Sequence, residues 1–221
     1  MRILLSIVTV VLVCLLPGSA DAGIARVGRG IISSSAPPIY YVSPSPDDAG
    51  VSRTLYRKQD LAGLPPNVPI TAIEYDKRLS GAVATGALTI YMKNSGATVL
   101  PASSTVMDGL AGMTEVFSTT SPAIPAPSGW VRYTLATPFT YTGDAIEVVT
   151  VWDLMSGARP DEPLFASHAT QTVFLEQLYY GPDPLAATDE IFRGNPPHRV
   201  NTQFVFPDPV SGFLVVEVAK N

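Results

Sequence analysis

Few residues in this chain are of types and spacings that do chemistry. The only imidazoles are His168 and His198, and neither lies in a metal spacing such as H-E-x-x-H. No G-x-S-x-G elbow presents a serine nucleophile, and no Gly-rich loop of the phosphate- or dinucleotide-binding kinds occurs. The single cysteine, Cys14, lies in an N-terminal apolar run and offers no thiol nucleophile. A Ser-His-Asp set assembled from distant segments stays open, because such sets are defined by geometry. Three acidic pairs, Asp47-Asp48, Asp161-Glu162 and Asp189-Glu190, fall in Pro- or Gly-bearing loops. Loop carboxylates of this kind suit a structural Ca²⁺, which takes about six to eight oxygens, yet no D-x-D-x-D-G loop is present and solvated acids are the simpler reading. Two tyrosine pairs, Tyr40-Tyr41 and Tyr179-Tyr180, would each send one ring to either face of a strand. An outward ring could stack on a sugar, and an edge-packed one would be structural. Asn195, in "GNPPH", reads as a turn residue. The expectation is a protein with no catalytic, cofactor-binding or metal residues.

The elements that would carry such groups begin after a leader. Ile3 to Leu16 is an apolar run preceded by Arg2 and broken by Pro17-Gly18, and Ala20-Asp21-Ala22 follows in an A-x-A arrangement. The run is too short for a comfortable membrane span and reads as a signal peptide, residues 1–22, cleaved after Ala22. Residues 23–37 are Gly-, Ser- and Pro-rich without period and read as a flexible leader. Without Cys14 the exported chain has no disulfide, so it must be held by core burial. The formal charge is −5 and no Lys/Arg cluster occurs, which argues against a nucleic-acid partner and a polybasic membrane surface.

The 21 prolines in a 46% apolar chain call for short strands and Pro-rich turns, because proline fits neither helix interiors nor central strands. "ITAIEYDK" alternates, with Ile73 and Tyr75 opposite Glu74 and Asp76. "GALTIYMK" places Leu88, Ile90 and Met92 on one face, and "VRYTL" sends Val131, Tyr133 and Leu135 inward with Arg132 and Thr134 outward. "IEVVTVW" is apolar on both faces, as a central strand is. Helical period is weak: "EQLYY" and "SSTVMDGLAGM" could each hold one turn. Within "GWVRYTLATPFTYTGD" the spacing predicts a strand, a corner at Pro138, a short segment Phe139 to Tyr141 and a turn at Thr142-Gly143-Asp144. Trp130 and Phe139 are expected to pack against the sheet, and the whole is an all-β antiparallel sandwich or barrel.

The segments "VSRTLYRKQDL", "ITAIEYDK", "LTIYMKNSG", "GWVRYTLATPFTYTGDAIEVVTVWD" and "HRVNTQFVF", in that order, resemble the jelly-roll-like β-sandwich modules of bacterial secreted surface proteins, of the cleaved-adhesin type. Gly129, Trp130, Leu135, Pro138, Phe139, Tyr141 and Gly143 match one motif of those modules, and Arg199, Asn201 and Phe204 match the closing strand. The resemblance implies a jelly-roll-like β-sandwich over residues 38–207 and a secreted, non-catalytic role in extracellular binding or adhesion. The alternatives are a carbohydrate-binding module and, less well supported, a hydrolase with an unrecognised site. An extracellular protein or glycan would be the partner, with no nucleic acid and no membrane insertion after signal cleavage. The remaining segment, 208–221, carries an apolar run, Phe213 to Val218, expected to dock as a further strand on the sandwich, the alternative being to pair with another chain as an added strand.

Overall fold

The computed structural model describes residues 22–29, 32–33, 49–78, 86–101, 104–153, 165–169, 175–180 and 198–207. The architecture is all-β and antiparallel. One sheet consists, in spatial order, of β1 (Ala22–Val27), β12 (Thr202–Pro207), β4 (Pro69–Lys77) and β7 (Gly129–Thr140). The other runs β10 (Glu176–Tyr180), β3 (Ala49–Tyr56), β8 (Ala145–Asp153), β5 (Ala87–Ser95) and β6 (Thr114–Thr119). A small third sheet joins β11 (His198–Val200), β9 (Ala166–Ala169) and β2 (Ile32–Ser33). The one helix among the described residues, α1 (Val106–Leu110), is a single turn closed by a Thr105/Asp108 capping box. No described helix is long and apolar enough to cross a membrane.

With β10 set aside as an added edge, the strands of the two main sheets, counted in chain order, fall 1-8-3-6 in one and 2-7-4-5 in the other. That order is a jelly roll, and it has β1 as its first strand. The expected leader over 23–37 is therefore corrected in its first part: Gly23 to Val27 pair antiparallel with Phe206 to Thr202. Ala25 and Val27 are buried while Arg26 is exposed, but this short alternation is masked by the surrounding Gly and Ser and depends on a partner strand at the other end of the chain. "EQLYY", weighed above as a helical turn, is the edge strand β10 paired with β3.

The alternating strands fold as their patterns require. Ile73, Tyr75, Leu88, Ile90, Met92, Val131, Tyr133 and Leu135 all enter one core between the two main sheets. Rings lock the two layers: Tyr56 meets Phe204 edge-on at 5.1 Å, and its hydroxyl lies 2.7 Å from Thr202 Oγ1. β8 is central, between β3 and β5, and Trp152 on it is 1% exposed. Its apolar character on both faces has a reason. The outer face of its sheet is covered by α1 and the flanking loops, through Val106 and Leu110 against Val51, Val149 and Val151, and through Leu100 and Leu175 against Leu55. Of the two acids in this strand, Asp153 is exposed at its end, and Glu147 is buried and ion-paired with Arg53 at 2.6 Å. The Pro138 corner is an irregularity inside β7 rather than a break: the register with β4 shifts between Ile70 and Ala72, and β7 continues to Thr140 on the edge of its sheet, where proline is tolerated.

The outer face of the four-stranded sheet presents the exposed Arg26, Arg132 and Thr134 and the half-buried Trp130. This open face carries the candidate site.

Candidate functional site

Cross-strand register dictates what stands on the open face. Arg26 on β1 pairs with Gln203 on β12, Gln203 with Glu74 on β4, and Glu74 with Arg132 on β7, so one row of polar side chains crosses all four strands. One step along, Asp76 on β4 pairs with Trp130 on β7. Because side chains alternate, Trp130 shares the outward face with Arg132 and Thr134, opposite Val131 and Tyr133. Trp130 is thus half-buried on the outside of the sheet, not in the core as expected from the sequence, whereas Phe139 is buried as expected.

The row is joined end to end. Arg132 Nε donates to Glu74 Oε1 at 2.6 Å. The Gln203 carboxamide, oriented by its neighbours, donates through nitrogen to Glu74 Oε2 at 2.6 Å and accepts through oxygen from Arg26 Nε at 2.6 Å and from Arg26 Nη2. The Arg26 guanidinium then lies over the Trp130 ring, 5.1 Å from its centroid. Arg26 and Trp130 form a roof, and Glu74, Gln203 and Asp76 are buried beneath it. Beside the roof opens a cleft of about 290 Å³, lined by Arg26, Arg29, Arg78, Trp130, Asp76 and Asn201.

The floor of the cleft belongs to a second chain of polar groups. Arg78 Nη2 donates to Asp76 Oδ2 at 2.7 Å, and Asn201 Nδ2 donates to the same oxygen at 3.3 Å. The Asn201 Oδ1 faces His168 Nδ1 at 3.2 Å, and His168 Nε2 faces Arg199 Nη2 at 3.4 Å. A guanidinium only donates, so Nε2 is the acceptor and Nδ1 carries the proton given to Asn201. Arg199 Nη1 also donates to Leu55 O at 2.9 Å and Asp60 Oδ2 at 2.8 Å, and the guanidinium stacks 5.2 Å from the Tyr56 ring centroid. Burial alone would push the Asp60 carboxyl up, but the hydrogen bonds from Arg199 and Arg57 and the Arg199 charge outweigh it and hold the pKa at about 2. The chain leaves the small sheet at Val200 and enters the large one at Thr202, so Asn201 sits at the switch and reaches both.

Gly28 makes this approach possible. Its φ is +83°, and a Cβ there would run into the His168 ring and Asn201 Oδ1. Gly28→Ala is expected to cost about 1–3 kcal/mol, read as a lowered melting temperature, through left-handed strain and displacement of His168. A melting temperature equal to that of the unmodified protein would contradict the contact.

His168 and Asn201, neither assigned a role by spacing, are brought together here with the matched Arg199. Their separation, 33 residues for His168 and Asn201, leaves no local signal. His198 lies on β11 opposite Ala169, and Tyr179 and Tyr180 lie on β10 opposite Val51 and Gly50. Asp47, Asp48, Asp161, Glu162, Asp189, Glu190, Tyr40, Tyr41 and Asn195 fall outside the described residues, as does the segment 208–221. Among the described residues no three His, Cys, Asp or Glu side chains converge as metal ligands. Two larger clefts, each about 450 Å³, flank Lys58 and Asp144 at the loop end of the sandwich. They combine loop backbone with scattered polar groups; one is lined by the buried Tyr141, and neither brings together several guanidinium groups as the open-face cleft does.

No known family profile matches the chain, and no curated protein matches it. Among solved structures, the cysteine protease and lectin-like domains of Cwp84, a surface layer associated protein of Clostridium difficile, align with a TM-score of 0.43 at 10% identity, over 72% of this chain and 32% of that one. A clostridial Cwp84 cysteine protease after propeptide cleavage aligns with a TM-score of 0.45 at 10% identity, over 86% of this chain and 41% of that one. This chain therefore spans less than half the length of either, and the similarity is one of β architecture at most.

Proposed function

We propose that this chain is an exported, non-catalytic β-sandwich that binds a glycan at the cell exterior through the open face of its four-stranded sheet. The observation that carries the reading is Trp130: a half-buried indole on an outward sheet face, with an arginine over its ring and a rim of amide, carboxylate and guanidinium groups. A sugar ring has an apolar C–H face and a hydroxyl rim, which such a site complements. A protein-binding adhesin would more naturally present a contiguous apolar patch. The exposed large hydrophobics among the described residues are scattered, with Ile24 on this sheet and Val99 and Met107 on the segment covering the other. The cleaved-adhesin resemblance and the signal-like start support an exterior setting, and β1 begins at the expected cleavage point, so the processed chain keeps it nearly whole.

A binding role also fits the state of the acids. Asp76 is ion-paired with Arg78 and Glu74 with Arg132, and His168 is engaged on both nitrogens. General acid–base catalysis needs a group free to exchange a proton with substrate.

Trp130→Ala is expected to abolish retardation on polysaccharide affinity gels while costing only about 1–2 kcal/mol of stability, because the ring is half-buried and its partner is a single cation. Retardation kept by a folded variant would remove the site. Hydrolysis of glycan or ester substrates by the purified protein would overturn the non-catalytic part.

A further inference from the structure

The cleft beside Trp130 is positively charged on an acidic protein. We propose that it takes a sugar residue bearing an oxyanion, a pyranose with a carboxylate or an ester sulfate or phosphate. The inference rests on the glycan-binding reading above and names the ligand class.

The chain carries a formal charge of −5, yet Arg26, Arg29 and Arg78 converge on one cleft of about 290 Å³ and all three are exposed. Only Arg78 is neutralised there, by Asp76 at 2.7 Å. Arg26 is held by Gln203 and by the Trp130 ring, both uncharged. Arg29 has no ion pair among the described residues. Among the described residues, two guanidinium charges therefore face the cleft without a paired carboxylate. The nearby acids do not oppose an anion, since Glu74 and Asp76 are buried and each is already bonded to an arginine.

A neutral sugar would use the indole and the polar rim but would leave two guanidinium charges uncompensated. Its hydroxyls are satisfied by amides and carboxylates, whereas a guanidinium fork matches a planar or tetrahedral oxyanion with paired N–H donors. The stacked indole fixes the Arg26 plane and removes water from one of its faces, which strengthens a contact made by the rest of the group. The accessible part of the same indole offers an apolar contact that a sugar ring would use and a free anion would not. Negative potential over the remainder of the protein would confine an anionic chain to this cleft.

The test pairs polymers that differ only in charge: polygalacturonate against its fully methyl-esterified form, and dextran sulfate against dextran, with inorganic phosphate as the sugar-free anion. Affinities of the full exported chain, Trp130→Ala and Arg29→Ala are measured by affinity electrophoresis at low and at physiological salt. The charged member of at least one pair is expected to bind about tenfold or more tightly than its neutral counterpart, the order of one charge-assisted contact. That preference should shrink with salt and fall in Arg29→Ala, with folding checked by melting temperature, while Trp130→Ala weakens binding to both members of the pair. Which pair shows the preference separates carboxylate from sulfate ester. Equal affinity within both pairs, with Trp130 still required, would overturn the charge inference and leave the glycan-binding site standing. Charged-polymer or phosphate binding insensitive to Trp130→Ala would overturn it as well, by showing an anion site without a sugar. Absence of binding to all the polymers would overturn both this inference and the reading on which it rests.

Discussion

Replacing Arg199 with alanine should lower stability by about 3 kcal/mol, near the lower end for a broken buried pair because Asp60 keeps Arg57 as a second partner. For a chain of this size that is a fall of about 6–12 °C in melting temperature. The change removes a buried guanidinium that ties β11 to Leu55 at the end of β3, to Asp60, to the Tyr56 ring and to His168. The pH dependence identifies the cause. Asp60 in the folded protein has a pKa of about 2, below its ordinary value of 3.8. Its contribution is fully present above pH 3.8 and is lost as pH falls through about 2. The stability difference between the unmodified protein and Arg199→Ala should therefore be largest near neutrality and narrow between about pH 4 and pH 2. A difference that stayed constant over that range would assign the loss to packing alone. Asp60→Asn introduced into the variant should recover part of it, since the half-buried charge is then gone.

Removal of residues up to Gly28 should be comparably damaging, costing about 3–5 kcal/mol or roughly 6–20 °C. These residues carry the first jelly-roll strand. Its six-residue pairing with β12 would be lost, Ala25 and Val27 would leave the core, and β12 would become a bare edge with unpaired backbone groups and a tendency to associate. Arg26 would go too, which uncovers Gln203 and Glu74 and frees the Trp130 ring. A shortened protein that melted at the original temperature and stayed monomeric would restore the flexible-leader reading of these residues.

Local pattern made much of the sandwich readable. β4, β5 and β7 alternate plainly, and the doubly apolar β8 is central, covered on its second face by α1 and the loops. The alternation that sent Arg132 and Thr134 outward also sends Trp130 outward, but the expectation that aromatic rings are buried outweighed it. β1 was missed for a different reason: its partner is β12, and a six-residue strand among Gly and Ser shows no period of its own. The site was less legible than the fold. Arg26 meets Trp130 only because β12 and β4 lie between their strands, and His168 meets Asn201 only because the chain changes sheets at that residue. Arg199 and Asn201 were visible in the resemblance as marks of a closing strand. Their burial in a polar chain, with Asp60 and Asp76 as partners, is a property of the three-dimensional arrangement.

The central claim is that ligand contacts the open face at Trp130, and tryptophan fluorescence tests it directly. The chain has two tryptophans, and Trp152 is 1% exposed, so acrylamide reaches mainly Trp130. With the tightest-binding polysaccharide added to saturation, quenching of the accessible emission should fall nearly to the level of the Trp130→Phe variant, in which only Trp152 emits. Saturating binding that left the quenching of the unmodified protein unchanged would place the ligand elsewhere and contradict the account.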